Sequence, residues 1–301
     1  MKLTIFTPTY NRKNLLKGLY DSICIAHSKN KFKNRIEWLI VDDGSTVDIQ
    51  DEVDKFECLQ NMSITVIRKK NGGKHTAFNK AIDVSNGELF MCIDDDDRLT
   101  ENAIVDLISI ANEYDICGEE SKYGAIVGRV VDENKKLLGK NINKMPIISN
   151  TIEIRDKYHF WGEPEVYVLN KLKEYRFPVF GEERFLTEAY LFDEMSLKYP
   201  FIYTDIKMMI KKYLPGGLTD NQLKIRVFSP TGTEAYYKKR KELSKGFFAV
   251  LKATINRQRF SFWCKKNKQM KKDLYEVIAT PISYLMYLKD KKEIEKLSTK
   301  K

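Results

Sequence analysis

Leu89-Phe90-Met91-Cys92-Ile93-Asp94-Asp95-Asp96-Asp97 is the stretch that decides how the chain is read. Five apolar residues end in four consecutive carboxylates. The apolar run is short and bounded by polar residues, which suits a buried strand. Several negative charges at the end of such a strand repel one another and require a countercharge. A hard divalent cation with oxygen ligands supplies it, and Mg2+ in such sites also holds substrate phosphates. A solvated acidic turn that caps the next helix is the alternative, and this stretch alone leaves both open.

Two upstream segments have the same form. Leu3-Thr4-Ile5-Phe6 reads as a strand and runs into Thr7-Pro8-Thr9-Tyr10-Asn11-Arg12, and Trp38-Leu39-Ile40-Val41 runs into Asp42-Asp43-Gly44-Ser45. Between them Leu15, Leu16, Leu19 and Ile23 recur at helical spacing. A parallel open sheet collects its functional loops at the carboxyl ends of its strands, so the three polar clusters are expected on one edge. Metal and nucleotide chemistry then leads.

The alternation continues. Residues 46–60 read as a helix with an acidic first turn (Asp48, Asp51, Glu52), and Ser63 to Ile67 as a third strand. Asn71-Gly72-Gly73-Lys74-His75 forms a loop feeding a helix through Ala77, Phe78, Ala81 and Ile82. After the aspartates a helix is expected from Thr100, its N-cap, through Ile104, Leu107, Ile108 and Ala111. This order argues α/β with a mainly parallel mixed sheet flanked by helices. Strand-like pieces follow at Gly124 to Val131, Pro146 to Ile154 and Val166 to Leu169, then a loop and helix over 182–199 and a short strand at 201–203. Leu214 to Thr219 is a glycine-containing loop, and beyond Phe228 the pattern is helical and lysine-rich.

The 301 residues suffice for one large α/β domain with an appendage, and 43% hydrophobic content supplies a core. The first apolar run has four residues, so no secretory signal is expected, and no stretch approaches the ~18 apolar residues of a membrane span. The five cysteines lack metal-type spacing and read as buried free thiols in a reducing cytoplasm. Residues 226–301 hold 20 Lys+Arg against 7 Asp+Glu, a net of +13, while the whole chain is +10. The first 225 residues are therefore −3, and the basicity belongs to the C-terminal quarter.

Taken together, the Thr7–Arg12, Val41–Ser45, Asn71-Gly72-Gly73, Asn79–Ile82, Asn86-Gly87-Glu88 and Ile93–Asp97 motifs resemble the inverting glycosyltransferases of family 2, which have the GT-A nucleotide-sugar-binding fold. Any one motif is weak; six in order and register are specific. The resemblance covers the first third closely and loosens through residue 220. It implies a GT-A domain over 1–225, with a nucleotide-binding half at 1–115 and an acceptor half at 116–225. Residues 226–301 form a basic, aromatic-rich helical extension. It also implies a UDP-sugar donor, Mn2+ or Mg2+, and a saccharide or lipid-linked acceptor.

Site residues follow from the same resemblance. Thr7, Pro8, Thr9 and Asn11 would surround the nucleotide, and Asp43 would accept a hydrogen bond from the uracil ring. Asp42 would cap the helix after Ser45. Asp96 would be the principal metal ligand, with Asp94 reaching the ribose or the metal; Asp94 and Asp95 both count among the donor-binding residues, although on an extended chain Asp95 would point the other way. Asp97 would support the metal or cap the next helix. Lys74 and His75 stand before a helix, where a cation can meet phosphate, or where a lysine is simply solvated. A carboxylate must take the acceptor hydroxyl's proton. Glu188, in Thr187-Glu188-Ala189-Tyr190, occupies the family's base position, with Glu182 and Glu183 as rivals. Trp161 would stack on an acceptor sugar or sit in the core, and Gly216-Gly217 would allow close approach to the donor or closure over it, or form a plain strand-to-helix turn.

Two other classes compete. A nucleotidyltransferase would need a glycine-rich loop near the first strand, and residues 7–13 hold no glycine. A nucleotide-sugar-binding or assembly subunit would lack the base. In the tail, basic residues alternate with Phe247, Phe248, Phe260, Phe262, Trp263, Tyr284 and Tyr287. That pattern suits an anionic membrane surface or a solvated helical face, with no nucleic acid partner expected. A cytoplasmic protein, peripheral on the inner face of the plasma membrane, is expected.

Overall fold

The computed structural model describes residues 1–29, 35–140, 142, 144–158, 164–211, 221–264 and 273–298. Trp161 and the 214–219 loop lie outside them, as do His159, Lys265, Lys266, Lys271 and Lys272. The chain forms two compact units, one of residues 1–176 and 192–213, the other of 177–191 and 214–301.

The first unit opens with β1 (Lys2–Thr9), α1 (Leu16–Ser28), β2 (Arg35–Asp42), α2 (Gln50–Val53), β3 (Met62–Arg68), α3 (Lys74–Val84) and β4 (Leu89–Cys92). These strands are parallel in the order β3-β2-β1-β4. Then come β5 (Arg98–Leu99), α4 (Ala103–Glu113), β6 (Ala125–Val131), β7 (Ile147–Ser149), α5 (Thr151–Glu153), β8 (Glu165–Val168), α6 (Leu169–Leu172), α7 (Ala189–Lys198) and β9 (Phe201–Ile210). β8 pairs antiparallel with β4, and the sheet continues β8-β6-β9-β5, with β7 also on β9. The sheet is mixed, as the sequence pattern predicts. α7 begins in the second unit and ends in the first.

Alternation along the strands sends neighbouring side chains to opposite faces. Ile5, Trp38, Ile40 and Met91 meet Leu16, Leu19, Ile23 and Leu107 from α1 and α4. Phe6, Phe90 and Tyr167 turn the other way, onto Phe78 of α3 and Phe192 of α7 at ring-centroid distances of 4.3–5.7 Å. Both faces are thus covered, which buries the parallel strands and leaves their ends as the accessible edge. At the amino ends, the Thr4 hydroxyl donates to Glu37 at 2.6 Å and the Asn86 N–H to Glu37 at 3.1 Å. Gly87 sits so close that a Cβ there would lie 2.6 Å from the Thr4 hydroxyl and from the Leu89 carbonyl. The Asn86-Gly87-Glu88 motif therefore packs the edge opposite the acidic cluster.

Several local expectations are corrected. The 46–60 helix shrinks to α2, and beyond it Phe56 stacks on Tyr20 at 4.5 Å and on Trp38 at 5.7 Å. Thr100 does not cap α4; its hydroxyl donates to the Lys207 carbonyl at 2.6 Å, and the helix starts after Asn102. The strand over 146–154 stops at Ser149, where Asn150 caps a helical turn by accepting the Glu153 N–H at 2.9 Å. The cysteines are half-buried, and Cys58 is exposed, rather than buried.

The second unit contains α8 (Gln222–Val227), α9 (Pro230–Leu243), α10 (Phe247–Ser261) and α11 (Leu274–Ser298). Tyr237 of α9 stacks on Phe260 of α10 at 5.9 Å. α10 and α11 meet through polar groups: Arg257 reaches Glu276 at 2.6 Å and Arg259 reaches Asp290 at 2.5 Å. Ion pairs buried this way cost desolvation, so they fix the orientation of α11 more than they stabilise it.

Candidate active site

β1 and β4 are neighbours while β2 and β3 lie on the other side of β1, so the chain's course reverses between β1 and β4. Their carboxyl ends bound the crevice where ligands of open α/β sheets bind. Four loops meet there, after β1, β2, β3 and β4.

The β1 and β2 loops are tied together. Asn11 has φ +56°, a left-handed conformation that asparagine tolerates, and its side-chain oxygen accepts the Thr46 N–H at 2.7 Å. Its own N–H donates to the Ser45 hydroxyl at 2.8 Å. Thr7 faces inward and accepts from the Trp38 indole at 3.0 Å, so only its backbone faces the crevice. Asp42 accepts the Ser45 N–H at 2.9 Å and caps that turn. Gly44 has φ +82°, and a Cβ there would lie 2.7 Å from the Asn71 nitrogen; glycine lets the β2 and β3 loops touch.

Asp43 is the junction of those loops. It is buried and accepts from Gly72 N–H at 3.0 Å, Gly73 N–H at 2.7 Å and the Lys69 ammonium at 2.6 Å. An ionised carboxylate offers about four acceptor positions, so three donors leave one. Lys69 also donates to Thr76 at 2.7 Å and to the Lys70 carbonyl at 2.7 Å, clasping the start of α3. Sequence reading passed over Lys69; a basic run, Arg68 to Lys70, directly at a strand's carboxyl end was the available signal.

After β4 the chain does not stay extended. The Asp97 N–H donates to the Asp94 carbonyl at 3.1 Å, and the four aspartates form a turn. Carboxylate oxygens of Asp94, Asp96 and Asp97 then lie within 4.8 Å of one another. Asp95 diverges into the protein, where it accepts the Thr9 hydroxyl at 2.7 Å and lies 3.0 Å from the Arg12 guanidinium. Arg12 also pairs with Asp96. It ends the Thr7–Arg12 motif, and it holds the turn's two central carboxylates.

The electrostatics follow from burial and the few cations present. Burial would raise Asp94, but the Lys74 ammonium 2.6 Å away carries it below the usual carboxylate range. Burial pushes Asp95 up to about 6 despite the Thr9 hydrogen bond. It pushes Asp97 up to about 7 against the opposing field of Lys211. Neighbouring aspartates push both in the same direction as burial, while Arg12 opposes this at Asp95 and Lys74 and Lys211 oppose it at Asp97. Three converging hard oxygen donors of this kind fit a divalent cation such as Mg2+ or Mn2+.

A pH signature results. In the unfolded chain both aspartates titrate near ~3.9. Between about pH 4 and 7 the folded protein keeps protons that the unfolded chain has lost, so the metal-free fold loses stability as pH rises through that window. A cation must displace the Asp97 proton to bind. The rise in melting temperature on adding Mn2+ is therefore expected to be larger at pH 8 than at pH 6; equal shifts at both would contradict this ligand set.

The candidate bases lie in the second unit. Glu182 is exposed. Glu183 accepts the Thr231 and Gly232 N–H groups, both at 2.8 Å, and so caps α9 through both oxygens. Glu188 immediately precedes α7, and its carbonyl accepts the Leu191 N–H at 3.1 Å. Glu183→Ala is expected to cost about 0.5–2 kcal/mol of stability through the lost cap, read as a lower melting temperature. An unchanged melt would remove the capping role.

The sequence profile described as Glycosyl transferase family 2 matches residues 4–160. The chain is 32% identical over 114 residues to the glycosyltransferase GlyG of Streptococcus pneumoniae, covering 38% of this chain and 36% of the relative. It is 27% identical over 115 residues to the poly(ribitol-phosphate) beta-N-acetylglucosaminyltransferase TarS of Staphylococcus aureus, covering 38% of this chain and 19% of TarS. The chain thus spans about a third or less of these relatives' lengths. The solved structure of S. aureus TarS residues 1–349 superposes with a TM-score of 0.63 at 16% identity, covering 96% of this chain and 80% of that one. A TarS structure in complex with UDP-GlcNAc gives 0.57, covering 87% and 72%. Both likenesses establish the GT-A fold.

Proposed function

The chain belongs to glycosyl transferase family 2, and from that premise we propose that it moves a sugar from a UDP-sugar to a hydroxyl of a saccharide or lipid-linked acceptor in cell-surface polysaccharide synthesis. The reaction is metal-dependent and inverts the anomeric centre in one displacement. The observation that carries this reading is the convergence of Asp94, Asp96 and Asp97 within 4.8 Å, at the crevice where the β1 loop closes on the β4 turn. The relatives support the substrate class: TarS is named for transfer of N-acetylglucosamine to poly(ribitol-phosphate), and one TarS structure holds UDP-GlcNAc.

Each residue then has a task, and catalysis is assigned to residues 1–225. The remaining acceptor position of Asp43 takes the N–H of the uracil ring, with Thr7 to Thr9 and Asn11 lining the nucleoside by their backbone. Gly72 and Gly73 spend their N–H groups on Asp43, and Lys74, at the start of α3 beside Asp94, takes the diphosphate. Asp94, Asp96 and Asp97 hold Mn2+ or Mg2+, and Asp95 with Arg12 keeps their turn in shape. A cation bound there neutralises charge developing on the leaving diphosphate. Glu188 takes the proton from the acceptor hydroxyl as it attacks.

Asp43→Ala tests the donor assignment. It removes one charge-assisted hydrogen bond to the base, worth about 1.5–3 kcal/mol, or one to two orders of magnitude in affinity for UDP. It also frees Lys69 and the 72–73 loop, so a lower melting temperature is expected alongside. Calorimetry with UDP giving an unchanged dissociation constant would reject the uracil-reading role.

A further inference from the structure

Over residues 274–288, α11 is amphipathic in the inverted sense. Its buried face carries Glu276, Ser283 and Asp290, held by Lys241, Arg257, Gln258 and Arg259 at 2.5–3.0 Å. Its opposite face carries Leu274, Val277, Ile278, Ile282, Leu285 and Leu288, all exposed, Leu285 by 67%. Steps of three and four residues keep these six on one stripe. A surface helix normally turns such a stripe toward the core. Here ion pairs on the other side hold it outward.

Two further features extend the stripe. Phe247 lies 5.4 Å from Tyr275 in the first turn of α11, and its neighbour Phe248 is 82% exposed. At the other end the same helical face continues into the exposed Lys289, Lys292 and Lys296. The surrounding residues 226–301 are net +13.

We propose that the outward stripe of α11 docks on an anionic lipid bilayer surface, with Lys289, Lys292 and Lys296 over the headgroups. No helix among the described residues is long and apolar enough to cross a membrane, so α11 lies in the interface plane. Charge complementarity selects this occupant. A second copy of the chain would bring another strongly basic surface against its own, and juxtaposed like charges oppose that contact. The inference rests on the anionic-surface reading of residues 226–301 and gives that surface a specific face. Its test needs no donor turnover, so it fails or stands separately from the transferase assignment.

The experiment is flotation of the full chain with vesicles of phosphatidylcholine alone and of phosphatidylcholine mixed with phosphatidylglycerol. Binding is expected to the mixed vesicles and to weaken at high salt. The double substitution Val277→Ser, Leu285→Ser is expected to weaken it by about tenfold or more, from the apolar surface no longer buried. Lys289→Glu with Lys292→Glu is a second, independent variant with the same expected direction. All four positions are exposed, so melting temperatures and vesicle-free donor hydrolysis are expected to stay at wild-type values. Absence of wild-type flotation, equal binding to both vesicle types, or unchanged flotation of both variants would overturn the proposal. So would a concentration-dependent dimer in sedimentation that Val277→Ser, Leu285→Ser dissolves without any vesicle binding, which assigns the stripe to a second copy.

Discussion

Asp96→Ala is expected to lower metal-dependent donor turnover by about a thousandfold or more while the protein stays folded. The size follows from the several kcal/mol that a bound cation contributes to a charged transition state, at tenfold in rate for each ~1.4 kcal/mol. The folding half of the expectation comes from geometry. Asp96 is about one-third exposed, and its partner Arg12 still lies 3.0 Å from Asp95 once Asp96 is gone. Removing one of four crowded carboxylates also relieves repulsion. Turnover at saturating Mn2+ and a melting curve check both halves. Near wild-type turnover at saturating metal would show that Asp96 is not a ligand.

Glu188→Gln is the second large effect. The amide keeps the volume and hydrogen-bonding reach but takes no proton at neutral pH. If Glu188 is the general base, transfer falls by about 10²–10⁴-fold, while UDP-sugar binding is nearly unchanged. Glu183 already accepts two backbone N–H groups at 2.8 Å, so Glu183→Gln should show in the melting curve before it shows in the rate. Glu182→Gln should be mild in both. A carboxylate that only orients the acceptor would raise the acceptor's KM and leave kcat mostly intact. Full activity in Glu188→Gln with an inactive Glu182 or Glu183 variant would move the base upstream.

The sheet edge was legible because each of its strands is a short apolar run that stops at turn residues. Leu3 to Phe6, Trp38 to Val41 and Leu89 to Cys92 all lie within strands of the sheet. The acidic turn was not. Four identical residues carry no pattern to distinguish extended chain from turn, and the choice is made by the Asp97 N–H bonding to Asp94 and by Thr9 and Arg12 claiming Asp95. Partners distant in sequence account for the other misses. Thr100 has the chemistry of an N-cap, but pairing of β5 with β9 brings the Lys207 carbonyl to its hydroxyl. Glu183 stands as a rival base in the sequence because the helix it caps begins nearly fifty residues later. Lys69 gains its meaning only when the β2 loop delivers Asp43 to it. The chain beyond Phe228 reads as helical, yet which side of α11 faces inward depends on Arg257 and Arg259 of the preceding helix.

Release of UDP from a panel of UDP-sugars, measured in Mn2+ and again in excess EDTA, tests the central claim most directly. At least one UDP-sugar is expected to be turned over slowly by hydrolysis in Mn2+ and faster with added acceptor, with EDTA abolishing both. Release that persists undiminished in EDTA, or no release from any UDP-sugar by a protein that melts cooperatively, would contradict it.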